Sequence, residues 1–479
     1  MVVLIPKTYV ERSKGSSFRP KGSRSPPGRH RAFLVLHSGI VSCWSVVSLE
    51  RPVSSPFPRS THCRWTMFLF GLSDGLTFFT LTAVQFYRLA SYGVSPKRIG
   101  LFAWTGLPYN LRFFVQFIVD RVKVPFLSRR YSSQKAWGLV AHLGSTVGFC
   151  FLGLCDARSH WLLYLAVAFL TSLFAAMQSV ITAAYQFSFE RILPFESSVP
   201  VKTLGFRVGL FFAATVLPLL ANYEGWFLAH IWISVIKIAA FVILISLPDE
   251  KDRPKRTRTQ KSSSEQAPRF VEIFTAFLKK PFTLPFLASI FLLKGIETVL
   301  GPMQTEFLGS LGVSLQQFSL RKNALGFVPM LLGVLLARQL AVKMNAYKAL
   351  LFAALGQSLV ALLSLPLLHA SAEHFNTCLM GVSLAQEFAQ GMATTLLALN
   401  LSLFSDRSLS VYHFTLLSTI GSLARVFWTT GYNFALEALS WSLLFCLPLG
   451  LYAGLFLIST TLSREKSFWQ IFGQKDARG

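Results

Sequence analysis

The sequence predicts an all-α integral membrane protein of about twelve transmembrane helices, arranged as two six-helix pseudo-symmetric bundles. Three observations carry that expectation. Apolar runs long enough to cross a bilayer recur along most of the 479 residues, which are 52% hydrophobic and only 14% charged. One basic interruption divides these runs into equal groups, and short stretches of text recur on both sides of it. A mean hydropathy of +0.50 leaves too little polar surface for a water-soluble chain of this length.

Taken in order, helices are expected at 67–90, 99–119, 136–154, 160–186, 200–221 and 226–247, then at 283–308, 318–340, 346–368, 375–403, 411–435 and 438–462. Each is an apolar run of roughly 20 residues, the length that spans hydrocarbon. Residues 1–66 differ, with eleven Lys/Arg against two Asp/Glu and Ser/Pro/Gly-rich text such as Ser25-Pro26-Pro27-Gly28. They read as a disordered basic tail, or as lying upstream of a start at Met67. The segment 248–282 is polar and basic (Lys251, Arg253, Lys255, Arg256, Arg258, Lys261) and reads as a linker between the bundles 67–247 and 283–462. Residues 463–479 form a second basic tail.

The formal charge of +25 does not point to nucleic acid, because its cations sit in loops. Arg121, Lys123, Arg129, Arg130 and Lys135 follow the second helix, and Arg464, Lys466, Lys475 and Arg478 follow the last. The alternate loops, such as Asn222 to Gly225, are short and poor in cations. Cations retained on one side orient a membrane protein, so both termini and the linker are expected in the cytoplasm. The six cysteines show neither CxxC nor metal-ligand spacing, and no cofactor is implied.

An internal repeat is legible. Tyr92-Gly93-Val94-Ser95 after helix one parallels Leu311-Gly312-Val313-Ser314 after helix seven. Ala176-Met177 in helix four parallels Gly391-Met392 in helix ten, and Leu204-Gly205-Phe206-Arg207 in helix five parallels Ser422-Leu423-Ala424-Arg425 in helix eleven. Same-order matches across a six-plus-six layout imply parallel duplicated halves.

Ionisable groups inside a bilayer cost several kcal/mol each, so they face a cavity or a partner. Here they are Asp74, Arg112, Arg207, Lys237, Lys294, Glu297, Glu387 and Arg425. Cations outnumber carboxyls, which suits an anionic small molecule, since guanidinium forks onto carboxylate or phosphate. Arg207 and Arg425 are related by the repeat. Arg112 also reads as an anchor for the end of helix two, and Lys294 with Glu297, spaced i,i+3, as a self-neutralising pair. Asp74, Glu297 and Glu387 are the available proton carriers.

These residues resemble the AmpG-type muropeptide permeases of the major facilitator superfamily. The likeness rests on Phe70-Gly71-Leu72-Ser73-Asp74-Gly75-Leu76, on Ile99-Gly100-Leu101-Phe102 leading to Arg112-Phe113 and Asp120-Arg121, and on Leu204-Gly205-Phe206-Arg207-Val208-Gly209. It continues through Lys322-Asn323-Ala324-Leu325-Gly326, Glu387 with Gly391-Met392, and Phe414-Thr415-Leu416-Leu417-Ser418 running to Arg425. The resemblance implies proton-coupled import of anionic peptidoglycan fragments across a bacterial inner membrane by a monomer. Arg112, Arg207, Glu297, Glu387 and Arg425 fall on charged positions of that pattern. Asp120, Arg121, Arg129 and Arg130 have the layout of the cytoplasmic gate loop, with Gln116 in place of its leading glycine. Gln178 stands where the family tends to add aspartates; here Ser179 and Ala183 follow it.

Two other readings compete. A facilitator could carry another organic anion, such as an acyl-CoA, a nucleotide or a sugar phosphate. A membrane-embedded glycosyl- or acyltransferase would need paired acid–base groups on loops, and only His369, Glu373 and His374 come near that. Nucleophile elbow, P-loop and metal spacing are all missing from the text.

Overall fold

In the computed structural model, residues 60–94, 98, 101–247, 270–299, 307, 315–368, 372–405, 409–462 and 471 are described. The expectations for the 1–59 tail, the linker core 248–269, the 463–479 tail apart from Ile471, and Leu311-Gly312-Val313-Ser314 lie outside these residues. Among the described residues every regular element is helical. The first half holds α1 (Ser60–Phe79, continued by a π turn Thr80–Val84 and by Gln85–Ser91), α2 (Arg112–Arg121, led in by Leu107–Asn110), α3 (Ser133–Leu154) and α4 (Trp161–Ser188). It ends with α5 (Phe195–Phe211, continued by a π turn Phe212–Val216 and by Leu217–Glu224) and α6 (Trp226–Ser246). The second half holds α7 (Thr283–Thr298), α8 (Leu315–Lys343), α9 (Ala346–Leu362), α10 (Ala372–Phe404), α11 (Ser410–Ala438) and α12 (Trp441–Leu462). Eight helices among the described residues are long and apolar enough to cross a membrane, or nine if the bent pair Val271–Lys279 and Thr283–Thr298 is one span.

The halves repeat in packing as well as in text. In the first, α1 packs on α5 and α6, α2 on α4, and α3 on α4 and α6. In the second, α7 packs on α11 and α12, α8 on α10, and α9 on α10 and α12. The correspondence preserves helix order, as a parallel repeat requires. The halves meet where α5 lies against α8 and α10, and where α2 and α4 lie against α11.

Two elements differ from the sequence expectation. α1 begins at Ser60, ahead of the boundary expected at 67, because Cys63, Thr66 and Met67 are all buried on one helical face. Part of the expected linker is also helical, over Phe270–Lys279. Ile273 and Phe277 within it are fully buried, so this stretch belongs to the bundle rather than to a solvated connection.

Backbone contact fixes α1 on α5. A Cβ added at Gly71 would lie 2.0 Å from the Lys202 carbonyl oxygen, and one at Gly75 would lie 2.0 Å from that of Phe206. In return, a Cβ at Gly205 would lie 2.0 Å from the Phe68 oxygen and one at Gly209 2.3 Å from the Leu72 oxygen. In lipid no solvent-driven force pushes apolar helices together, so close approach through small residues supplies the dispersion contact that holds them. The second half uses the same device between α8 and α10, at Gly333 against Phe388 and Gly391 against Met330. The π turn in α5 precedes Pro218, whose missing N–H breaks the i→i−4 ladder at that point.

Candidate transport site

The first-half site is centred on Asp74 of α1, which is 5% exposed. Gln178 of α4 donates to one carboxylate oxygen at 2.8 Å and Thr182 donates to the other at 2.8 Å. Lys202 of α5 stands 3.7 Å from the same carboxylate and donates to Thr182 at 3.0 Å. Lys237 of α6 is wholly buried and spends its protons on neutral oxygens, those of Thr77 at 2.5 Å, Gln178 at 2.9 Å and Ser73 at 3.3 Å. Two lysines thus stand near one carboxylate, only Lys202 paired with it, an excess of basic groups that a bilayer interior tolerates when their donors are satisfied.

The second-half site is centred on Glu297 of α7. Lys294, one turn earlier, pairs with it directly, as the i,i+3 spacing anticipates. Gln390 of α10 donates to Glu297 Oε1 at 2.9 Å, and Gln357 of α9 supports that glutamine at 3.2 Å. Arg425 of α11 reaches the same oxygen at 3.4 Å while its side chain stays 47% exposed, which makes it the most open cation of this group. Glu387 of α10 packs against Gly326 of α8.

The two sites share one plan. Each half places a carboxylate on its first helix and a glutamine on its fourth that donates to it, Gln178 to Asp74 and Gln390 to Glu297. Each also brings at least two cations to that carboxylate's neighbourhood, from different helices.

Arginines join the halves. Arg112 donates to Ser179 of α4 at 3.1 Å and also to Ser418 of α11, while its guanidinium lies 5.3 Å from the Tyr109 ring. It therefore works at the seam between bundles rather than as an anchor for a helix end. Arg207 crosses from α5 to donate to Thr394 of α10 at 2.7 Å, within electrostatic range of Glu387, Glu297 and Arg425. Arg112 and Arg207 thus bond across the interface, Lys294, Glu297, Glu387 and Arg425 lie within electrostatic range of Arg207, and Asp74 with Gln178 is bonded inside the first half.

The expected gate residues sit at one end of this seam. Asp120 accepts a hydrogen bond from Gln116, one turn back at 2.7 Å, and Arg121 lies over the Phe117 ring. Arg129 and Arg130 are exposed on the short helix Leu127–Arg130, with Arg130 over Tyr131. Among the described residues Asp120 forms no ion pair with Arg129 or Arg130. Aromatic contacts close this end instead, Phe117 on Tyr412 and Phe187 on Phe414, with ring centroids 5.2 and 5.8 Å apart. Beside them lies a cavity of about 210 Å³ lined by Gln116, Asp120, Gln134, Ser410 and Tyr412, among others.

Comparison with known proteins agrees with this architecture. No family model matches the chain. A relative named AmpG 3 from Rickettsia prowazekii (strain Madrid E) is 21% identical over 407 residues, 83% of this chain and 95% of that protein. The anhydromuropeptide permease of Escherichia coli (strain K12) is 24% identical over 391 residues, 80% of this chain and 76% of that protein. Among solved structures, the major facilitator superfamily transporter FucP in its outward conformation superposes with a TM-score of 0.61 at 12% identity, covering 84% of this chain and 98% of that one. Relatives and fold agree: the chain is a multi-pass membrane transporter with the major-facilitator fold, similar to AmpG-type permeases.

Proposed function

We propose that the chain is a proton-coupled importer of anionic peptidoglycan fragments, the anhydro-muropeptides, across the bacterial inner membrane, with both termini and the 248–282 segment in the cytoplasm. The observation that carries this reading is the Glu297 centre, where one carboxylate is shared by Lys294, Arg425 and Gln390. While Glu297 is ionised it pairs with both cations and offsets one of their two charges. A proton arriving on it from the outer side frees the Arg425 fork for a carboxylate of the passenger. Arg207 and Arg112 extend that positive surface across the seam, and the halves then rock inward around the filled site. The name of the Escherichia coli relative supports the cargo.

The test is uptake into proteoliposomes. Labelled anhydro-muropeptide is expected to accumulate under an inward proton gradient and to stop when the gradient is collapsed. A nucleotide, a sugar phosphate and an acyl-CoA are expected to compete weakly. Accumulation that ignores the gradient overturns the coupling, and preferential uptake of one of the other anions overturns the cargo.

A further inference from the structure

The helix Phe270–Lys279 packs against α7 and α11, and its three faces differ. It meets α7 at 93°, across a joint where Phe282 adopts a left-handed backbone conformation (φ 67°). α7 packs between α11 and α12 inside the second half, so a helix at right angles to it lies in the plane of the membrane surface. At about 100° per residue, Ile273 and Phe277 form one sector. Both are fully buried, and the Phe277 ring lies 5.4 Å from the His413 ring, tilted to it, at the start of α11. The adjoining sector holds Val271, Phe274 and Leu278, which are 66%, 37% and 44% exposed. The remaining sector is Glu272, Thr275 and Lys279, all exposed. Next to it Lys280 donates to the Phe404 carbonyl at the end of α10 and lies 4.6 Å over the Phe404 ring.

We infer that Phe270–Lys279 is an interfacial helix that seats the second half on the phospholipid surface. Its exposed apolar sector enters the boundary between headgroups and acyl chains, and Lys279 meets anionic headgroups. A helix held only by protein needs two faces, apolar inward and polar outward. Here a second apolar face continues the first and points away from the bundle, as a helix lying in the interface requires. The right angle to α7 selects the bilayer over a protein partner. The helix touches α11 through Phe277, and Lys280 just after it touches α10, so the lipid surface supports the loop end of both helices.

Photocrosslinking on the full chain in vesicles of phosphatidylcholine and phosphatidylglycerol tests this. The crosslinker p-benzoylphenylalanine replaces Phe274, Leu278 or Thr275 in turn. On illumination the Phe274 and Leu278 positions are expected to capture phospholipid, read as a lipid mass added to the peptide, and the Thr275 position to capture none. Captured phosphatidylglycerol is expected to exceed its share by about fivefold at low salt, the effect of one basic side chain near an anionic surface. Lys279→Gln should remove that excess without lowering total capture. Equal capture at all three positions, or capture of protein alone at 274 and 278, overturns the interfacial seat. An excess that survives Lys279→Gln overturns the headgroup role of Lys279.

Discussion

Arg112 makes two hydrogen bonds to hydroxyls on opposite sides of the seam, Ser179 and Ser418. Lysine keeps the charge but not the fork, so Arg112→Lys should insert normally yet slow initial uptake by about tenfold or more, the equivalent of one lost charge-assisted hydrogen bond. Gln178→Leu removes the donor to Asp74 and an acceptor of Lys237 together. The expected loss in detergent stability is about 1–3 kcal/mol, read by thermal unfolding. Outside the membrane helices, Asp156 accepts from the Arg158 amide and the Ser159 hydroxyl, which holds its carboxyl below the ordinary value. A lowered carboxyl favours the folded turn above its ordinary pKa and loses that advantage as pH falls through the native value. Any stability difference between Asp156→Asn and the parent should therefore be constant at neutral pH and fade in strong acid. The charged residues of the seam were legible because ionisable groups stand out in apolar text. Lys202 was not, since the sequence expectation starts helix five at 200 and leaves that lysine at a helix end, whereas α5 starts at Phe195. Gln390 was missed because it carries no charge, and its donation to Glu297 depends on how α7 and α10 are turned.

The α1–α5 contact sets the tolerance of those helices to change. Alanine at Gly75 gains helix propensity worth about 1 kcal/mol. Its Cβ, however, would sit 2.0 Å from a main-chain oxygen that no rotamer can move aside. The overlap wins, and Gly75→Ala should destabilise the solubilised protein by about 1–3 kcal/mol, the usual range for overpacking. Alanine at Gly450, where nothing lies within 4 Å of an added Cβ, should leave the melting temperature level or raised. The four-residue spacing of Gly71 with Gly75 and of Gly205 with Gly209 was present in the sequence, yet only the structure shows which helices they join. The helix Phe270–Lys279 read as linker because ten residues are too few to span a bilayer and a basic run precedes them.

The all-helical membrane architecture was readable from text alone, since it depends on the length of apolar runs. Which faces meet was not, because apolar residues cover every side of a lipid-embedded helix and periodicity loses its direction. If the halves rock, the end closed by Phe187 and Phe414 must part in each cycle. Phe187→Cys with Phe414→Cys, joined by a short cleavable thiol cross-linker, is expected to halt uptake, and cleavage is expected to restore it. Uptake that continues while the halves are joined would mean that this end stays shut throughout.

The glycine contacts are not distributed alike in the two halves. Main chain touches main chain between α1 and α5 in the first and between α8 and α10 in the second, and α5 faces α8 and α10 across the seam. The stiffest pair of each bundle therefore lies along the same edge of the molecule. The opposite edge, where α2 meets α11, rests on side chains such as Arg112 on Ser418 and Phe117 on Tyr412. If the halves rock, the border backed by those close pairs is the expected pivot, like the stile of a door, and the α2–α11 border is the side expected to part.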